Sequence, residues 1–196
     1  MKQIFSIGLA FALLGSIGSA QTAIWKQDNA HSRVNFSVVH MVISEVTGGF
    51  KEFDVTLTQG KDDFSGSTLE ATLKTASINT DNEMRDKHLR SDDFLNAEKY
   101  PVISFKSTAF EKTGENAYKI TGNLTLRDVT KPVVLDAKLL GQVVDGRGNQ
   151  RAGFKATTSI NRFDYGVKWN KTIEAGGLIA SDKVDLTFLM ELQKQK

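Results

Sequence analysis

Period-two alternation is the feature that most constrains this chain. Between Ser32 and Met41, Val34, Phe36, Val38 and His40 fall on one face, while Arg33, Asn35 and Ser37 fall on the other. The pattern returns in Phe53, Val55 and Leu57 against Asp54, Thr56 and Thr58, and in Leu69, Ala71 and Leu73 against Glu70, Thr72 and Lys74. It recurs around Ile103 and Phe105, from Tyr118 to Leu126, from Val133 to Leu139, from Ala152 to Ile160 and from Val184 to Leu192. Successive side chains of a strand point to opposite faces, so each run predicts a strand with one apolar face. About eight or nine such strands joined by short turns point to an antiparallel barrel or sandwich. Many runs approach ten residues, about 33 Å at the usual rise, which is long for a compact sandwich. An all-β, eight-stranded barrel is therefore expected, with a bore that just holds one small ligand.

Turn chemistry punctuates the runs. Gln59–Gly66, Thr113–Asn116, Asp128–Pro132 and Asp145–Asn149 read as turns, and Gly176-Gly177 precedes the last strand. Gly48-Gly49 suggests a bulge or sharp bend, and Gly122 a kink. Met41–Val46 fits a helical turn as well as a strand. Asn161–Thr172, with Phe163, Tyr165 and Trp169, is irregular and aromatic-rich.

The one long interruption is Asn79–Phe105, with a short helix expected around residues 81–95. Thr80 with Glu83 forms a capping-box pattern, and Asp81 is an equally good cap. Met84, His88 and Leu89 share a face at helical spacing, while Arg85, Asp86, Arg90, Asp92 and Asp93 occupy the rest. Tyr100-Pro101 restarts the extended chain. A catalytic reading would pair Asp86 with His88, but residues two apart on a helix face different ways. No G-x-S-x-G elbow and no cysteine accompanies them. The insert reads better as a helix clasped over a barrel by caps and ion pairs than as an active site, and no enzyme activity is expected.

Residues 1–20 read as a secretory signal peptide: Lys2, an apolar core from Ile4 to Leu14, and small residues ending in Gly18-Ser19-Ala20. The expected mature chain, residues 21–196, is one domain in the periplasm, with secretion left open. The apolar run is too short for a spanning anchor, so no stable membrane anchor is expected. With no cysteine in the sequence, an exported protein must rely on its core rather than on disulfides. Loss of the leader leaves acidic and basic residues nearly balanced and interspersed, without a basic block, so nucleic acid is not expected as a partner.

The histidines are His31, His40 and His88. Three imidazoles suit zinc, but no local ligand pair of the HxH or HExxH kind is present. A metal protein or hydrolase built on them is kept as an alternative, beside a structural stress-response barrel with a filled interior. No metal and no cofactor is expected.

The order and spacing of several motifs resemble the YceI-like family of secreted bacterial proteins. They are Trp25 and Asp28 before His31-Ser32; Val34-x-Phe36-x-Val38-x-His40; Gly49-Phe50; Ser77-Ile78-x-Thr80; Arg85-Asp86-x-His88-Leu89; Ser91-x-Asp93-Phe94; Pro101-x-Ile103-x-Phe105-x-Ser107; and Gly122-x-Leu124-Thr125-Leu126 running on to Pro132. The Ile160-Asn161-Arg162-Phe163 neighbourhood fits less tightly. The resemblance implies an extended lipocalin-like barrel holding an amphiphile, a polyisoprenoid or isoprenoid quinone, with its tail in the bore. Candidate ligand contacts are Phe36, Val38, His40, Phe50, Leu73, Met84, His88, Leu89, Phe94, Phe105, Phe154, Trp169 and Phe188. Arg85, Asp86 and Asp93 are candidate rim and clasp residues. The expected partner is a small-molecule lipid, and a homodimer is left open.

Overall fold

The computed structural model describes residues 22–172 and 178–196. The expected leader and the Gly176-Gly177 pair lie outside them. The alternating runs form eleven strands: β1 (Ile24–Gln27), β2 (Arg33–His40), β3 (Ser44–Phe50), β4 (Phe53–Thr58), β5 (Thr68–Lys74), β6 (Ile78–Asn79), β7 (Val102–Gly114), β8 (Ala117–Leu126), β9 (Val129–Val144), β10 (Gln150–Asn161) and β11 (Lys183–Lys194). One helix, α1, spans Glu83–Arg90.

These segments close into an eight-stranded antiparallel barrel. Pairing register shows how eleven become eight. β1 and β2 both pair with β11, Gln27 opposite Leu192 and Arg33 opposite Leu189, so they are two lengths of one interrupted strand. β4 and β3 lie beside them in the same way, and β5 and β6 continue the series. β7 to β11 are unbroken hairpin neighbours. β1–β11 pairing closes the ring and leaves no free edge around that level.

The barrel has a filled base and an open mouth. At the base, Trp25 and Phe64 meet edge to face at 5.4 Å, Phe64 meets Phe154 at 5.1 Å, and Tyr118 joins Phe110 at 5.4 Å. Phe64 is fully buried although it sits in the Gln59–Gly66 turn with a φ of 62°. The turn is folded back under the bore. Gly66 N–H donates to the Phe110 carbonyl at 2.9 Å, Ser67 Oγ to the Phe64 carbonyl at 2.6 Å, and Tyr118 O–H to the Asp63 carbonyl at 2.8 Å. Trp25 Nε1 donates to Gln59 Oε1 at 2.9 Å, which satisfies its polar tip inside the core.

Several local expectations are corrected. Met41–Val46 is a hairpin, not a helical turn: Met41 and Val42 take φ of 51° and 67°, and Ile43 N–H donates to the His40 carbonyl at 3.2 Å. Both central residues at positive φ mark a type I′ turn. Gly48-Gly49 makes no bulge; both pair in register with Phe36 and Asn35. The reason for glycine is space, since a Cβ at Gly48 would lie 2.6 Å from the Phe36 ring. At Gly122 a Cβ would lie 2.4 Å from the Phe105 ring, and the irregularity sits opposite it on β7 between Ser107 and Ala109. The β8–β9 turn is only Arg127-Asp128, since Leu126 already pairs with Val129; Pro132 lies within β9.

Candidate ligand cavity

Above the aromatic base the bore is hollow. A cavity of about 370 Å³ runs from the base to the mouth, within the range of small-molecule sites. Its wall is built by the inward faces of the strands, where alternation places apolar side chains. β2 and β3 contribute Phe36, Val38, His40 and Phe50; β5 and β7 contribute Leu73 and Phe105; β10 and β11 contribute Phe154 and Phe188. The phenyl rings of Phe36 and Phe105 fit because glycines stand opposite them at 48 and 122. Phe36 and Phe50 are in contact at 6.2 Å between centroids.

The mouth is shaped by the insert. α1 follows β6 and turns Arg85, His88 and Leu89 towards the cavity. Its cap is Asn82, whose side chain accepts from Arg85 N–H; neither Thr80 nor Asp81 caps it. Thr80 serves Asp86 instead: its N–H and hydroxyl both donate to Asp86 Oδ1, at 2.9 and 2.5 Å. Asp86 is thereby buried and is an internal clasp, not a rim residue. Arg85 then donates from Nε to Thr80 Oγ1 at 2.7 Å and from Nη2 to the Thr80 carbonyl at 2.8 Å.

This clasp explains a further correction. Met84 is 84% exposed and does not line the cavity. The helical spacing fits two phases, one starting at Met84 and one at Arg85. Thr80 draws Asp86 inward and so selects the second, leaving Met84 in solvent.

His88, Phe94 and Trp169 form an aromatic cluster across the mouth, with centroids 4.9 to 5.7 Å apart. His88 Nε2 lies 2.8 Å from Asp93 Oδ2, which orients the ring. Arg127 Nη1 donates to the Phe94 carbonyl at 2.9 Å and to the Gly166 carbonyl at 3.3 Å, tying the insert to the loop that carries Trp169. Asp86 and His88 thus have separate partners and form no acid–base pair with each other.

The histidines do not assemble. His40 and His88 line the mouth, whereas His31 precedes β2 at the base, about nine residues and roughly 30 Å of strand away. His31 instead lies near Asp28 and Glu191, their ligand atoms within 4.8 Å of one another. Arg151 occupies the same network, with Nη1 2.8 Å from Asp28 and 2.6 Å from Glu191 and Nε 2.8 Å from Asp145. Its guanidinium holds the Asp28 carboxyl down at about 2, and Asp145 lower still.

Sequence reasoning missed Phe64 and the part Arg162 plays, and it gave Thr80 the cap of α1 in place of its bonds to Asp86. Arg162 is buried, lines the cavity, and donates to the carbonyls of Ser181, Val167 and Ala180 at 2.8 to 2.9 Å. Burial pulls its pKa below the ordinary arginine value, against the opposing charge of Asp182. An isolated aromatic in a polar turn was the available signal for Phe64. The looser match around Arg162 hid the other.

An antiparallel barrel with an apolar, one-ended cavity and a polar mouth defines the lipocalin-like class of barrels. The chain belongs to the YceI-like family: the YceI-like domain matches residues 25–192. It is 44% identical over 193 residues, 97% of each chain, to protein YceI of Escherichia coli O17:K52:H18 (strain UMN026 / ExPEC). A UPF0312 protein of Pectobacterium carotovorum is 43% identical over 95% of each chain. Among solved structures, the Campylobacter jejuni YCEI protein has a TM-score of 0.70 at 34% identity, covering 81% of this chain and 90% of that one. A polyisoprenoid binding domain from Saccharophagus degradans has a TM-score of 0.61 at 14% identity, covering 87% and 98%, a likeness of fold.

Proposed function

We propose that this protein is an exported, periplasmic carrier or sequestering protein for a long apolar amphiphile, a polyisoprenoid, an isoprenoid quinone or a similar lipid, held tail-first in the barrel. The observation that carries this reading is the apolar cavity of about 370 Å³, closed at the base and open at the mouth. Each methylene moved from water into such a bore gains roughly 0.8 kcal/mol, so a tail of modest length offsets the cost of ordering it. A barrel with a filled interior fits less well, because the aromatic fill stops at the base. That the related fold serves a polyisoprenoid binding domain in Saccharophagus degradans supports the choice of ligand class.

The test is lipid extraction and mass spectrometry of full-length protein expressed with its leader and purified from the periplasm. A stoichiometric lipid is expected. Protein that is consistently empty and also fails to take up isoprenoid or fatty-acyl probes would sink the proposal. Phe36→Asp and Phe105→Asp place a charge on the cavity wall and should abolish probe binding or folding. Glu70→Lys, on the outer face beside Lys106, should do neither.

A further inference from the structure

The polar lining of the cavity is uneven in place and in sign. Five polar side chains line it, His40, Arg85, His88, Thr158 and Arg162, and among the described residues no carboxylate does. All five belong to the mouth half: His40 ends β2, Thr158 lies near the end of β10, and the others stand on α1 or just beyond β10. The two arginines are held by uncharged oxygens. Arg85 is bound to the hydroxyl and carbonyl of Thr80, and Arg162 to three carbonyls. Among the described residues neither forms an ion pair, and Arg85 Nη1 bonds no protein oxygen. The nearby acids are engaged elsewhere, Asp86 by Thr80, Asp93 by His88, and Asp182, whose charge reaches Arg162 without a direct bond, by Asn161.

A guanidinium beside an apolar cavity and without a carboxylate is costly unless something compensates it. Arginine offers five donors in a fixed fork suited to carboxylate or phosphate. Bonds to ionised oxygen are about twice as strong as neutral ones, and a low-dielectric wall strengthens them further. We infer that the mouth selects amphiphiles with an anionic oxygen head, carboxylate or phosphate, bound at Arg85 with Arg162 behind it. This rests on the carrier reading above and adds the head chemistry to it. Thr80 is then a positioning residue, since it orients the Arg85 fork while its own hydroxyl is fixed by Asp86.

The experiment is equilibrium binding to the purified full chain, below the micelle threshold, with two pairs of matched probes: palmitate against hexadecanol, and farnesyl phosphate against farnesol. The anionic member of at least one pair should bind about tenfold tighter, and the pair that shows it separates a fatty acid from an isoprenoid phosphate as the preferred source. Arg85→Gln should bring that ratio close to one, while Arg85→Lys should retain most of it, with thermal unfolding confirming that both variants fold. Equal affinities within both pairs, or a preference that survives Arg85→Gln, would overturn the head selection and leave the carrier reading standing. No binding of any probe would overturn both.

Discussion

Val42 has a φ of 67° in the type I′ turn between β2 and β3, a conformation that costs a β-branched residue on the order of 1–2 kcal/mol. Val42→Gly should therefore stabilise the protein by about 1 kcal/mol, read as a higher midpoint in urea unfolding. Phe64 presents the opposite case, an aromatic in a polar turn that is wholly enclosed by the base. Phe64→Ala should lower stability by about 3–5 kcal/mol, whereas Met84→Ala, at a solvent position, should change it by less than about 0.5 kcal/mol. Similar losses from the two would show that the base and the outer face of α1 have been confused. Alternation identifies residues such as Phe36 and Phe105 but is silent about Phe64, because a turn has no face until it folds back under something.

The insert is held by a few bonds rather than by a large apolar face. Asp86 joins Thr80, Asn82 caps α1, and Arg127 ties Phe94 to the far side of the mouth. Removal of a buried charged acceptor costs about 1.5–3 kcal/mol, and here the loss falls on one element. Asp86→Ala should speed amide hydrogen exchange across residues 83–95 while β7 to β10 keep their protection. It should also quicken exchange of bound lipid, since the insert borders the mouth. Uniform loss of protection over the whole barrel would count against a local clasp. The existence and place of this helix were legible from spacing, but its phase was not. Met84 and Arg85 each begin an acceptable face, and the choice rests on Thr80, three residues before the helix begins.

At the scale of the whole molecule, Arg151 joins the β1–β2 junction, the β9–β10 turn and β11 at the base, through Asp28, Asp145 and Glu191. The Asp28 carboxyl titrates at about 2 in the folded chain, against 3.8 for an unperturbed aspartate. A folded pKa below the unfolded value means stability that is fully present above about 3.8 and is lost as pH falls towards 2. Asp145 is shifted the same way and adds to the effect. Unfolding midpoints should therefore fall between about pH 4 and 2 in the natural chain, and Arg151→Met should flatten that fall while lowering stability at neutral pH. A variant with an unchanged acid profile would show that other carboxylates govern it.

The sequence by itself determined the strands, their apolar faces and the barrel, because a period of two depends only on neighbours along the chain. Most of the candidate contacts it named stand along the cavity wall, those on strands because a strand can turn only one face inward. Only the tertiary structure decided that the bore is filled at one end and hollow at the other, which depends on Phe64 swinging under strands remote from it. Only the tertiary structure brought Arg85 and Arg162, far apart in sequence, to the same mouth. It also separated His31 from His40 and His88. Such meetings depend on closure of the ring by β1 and β11, and on which turn lies over which end.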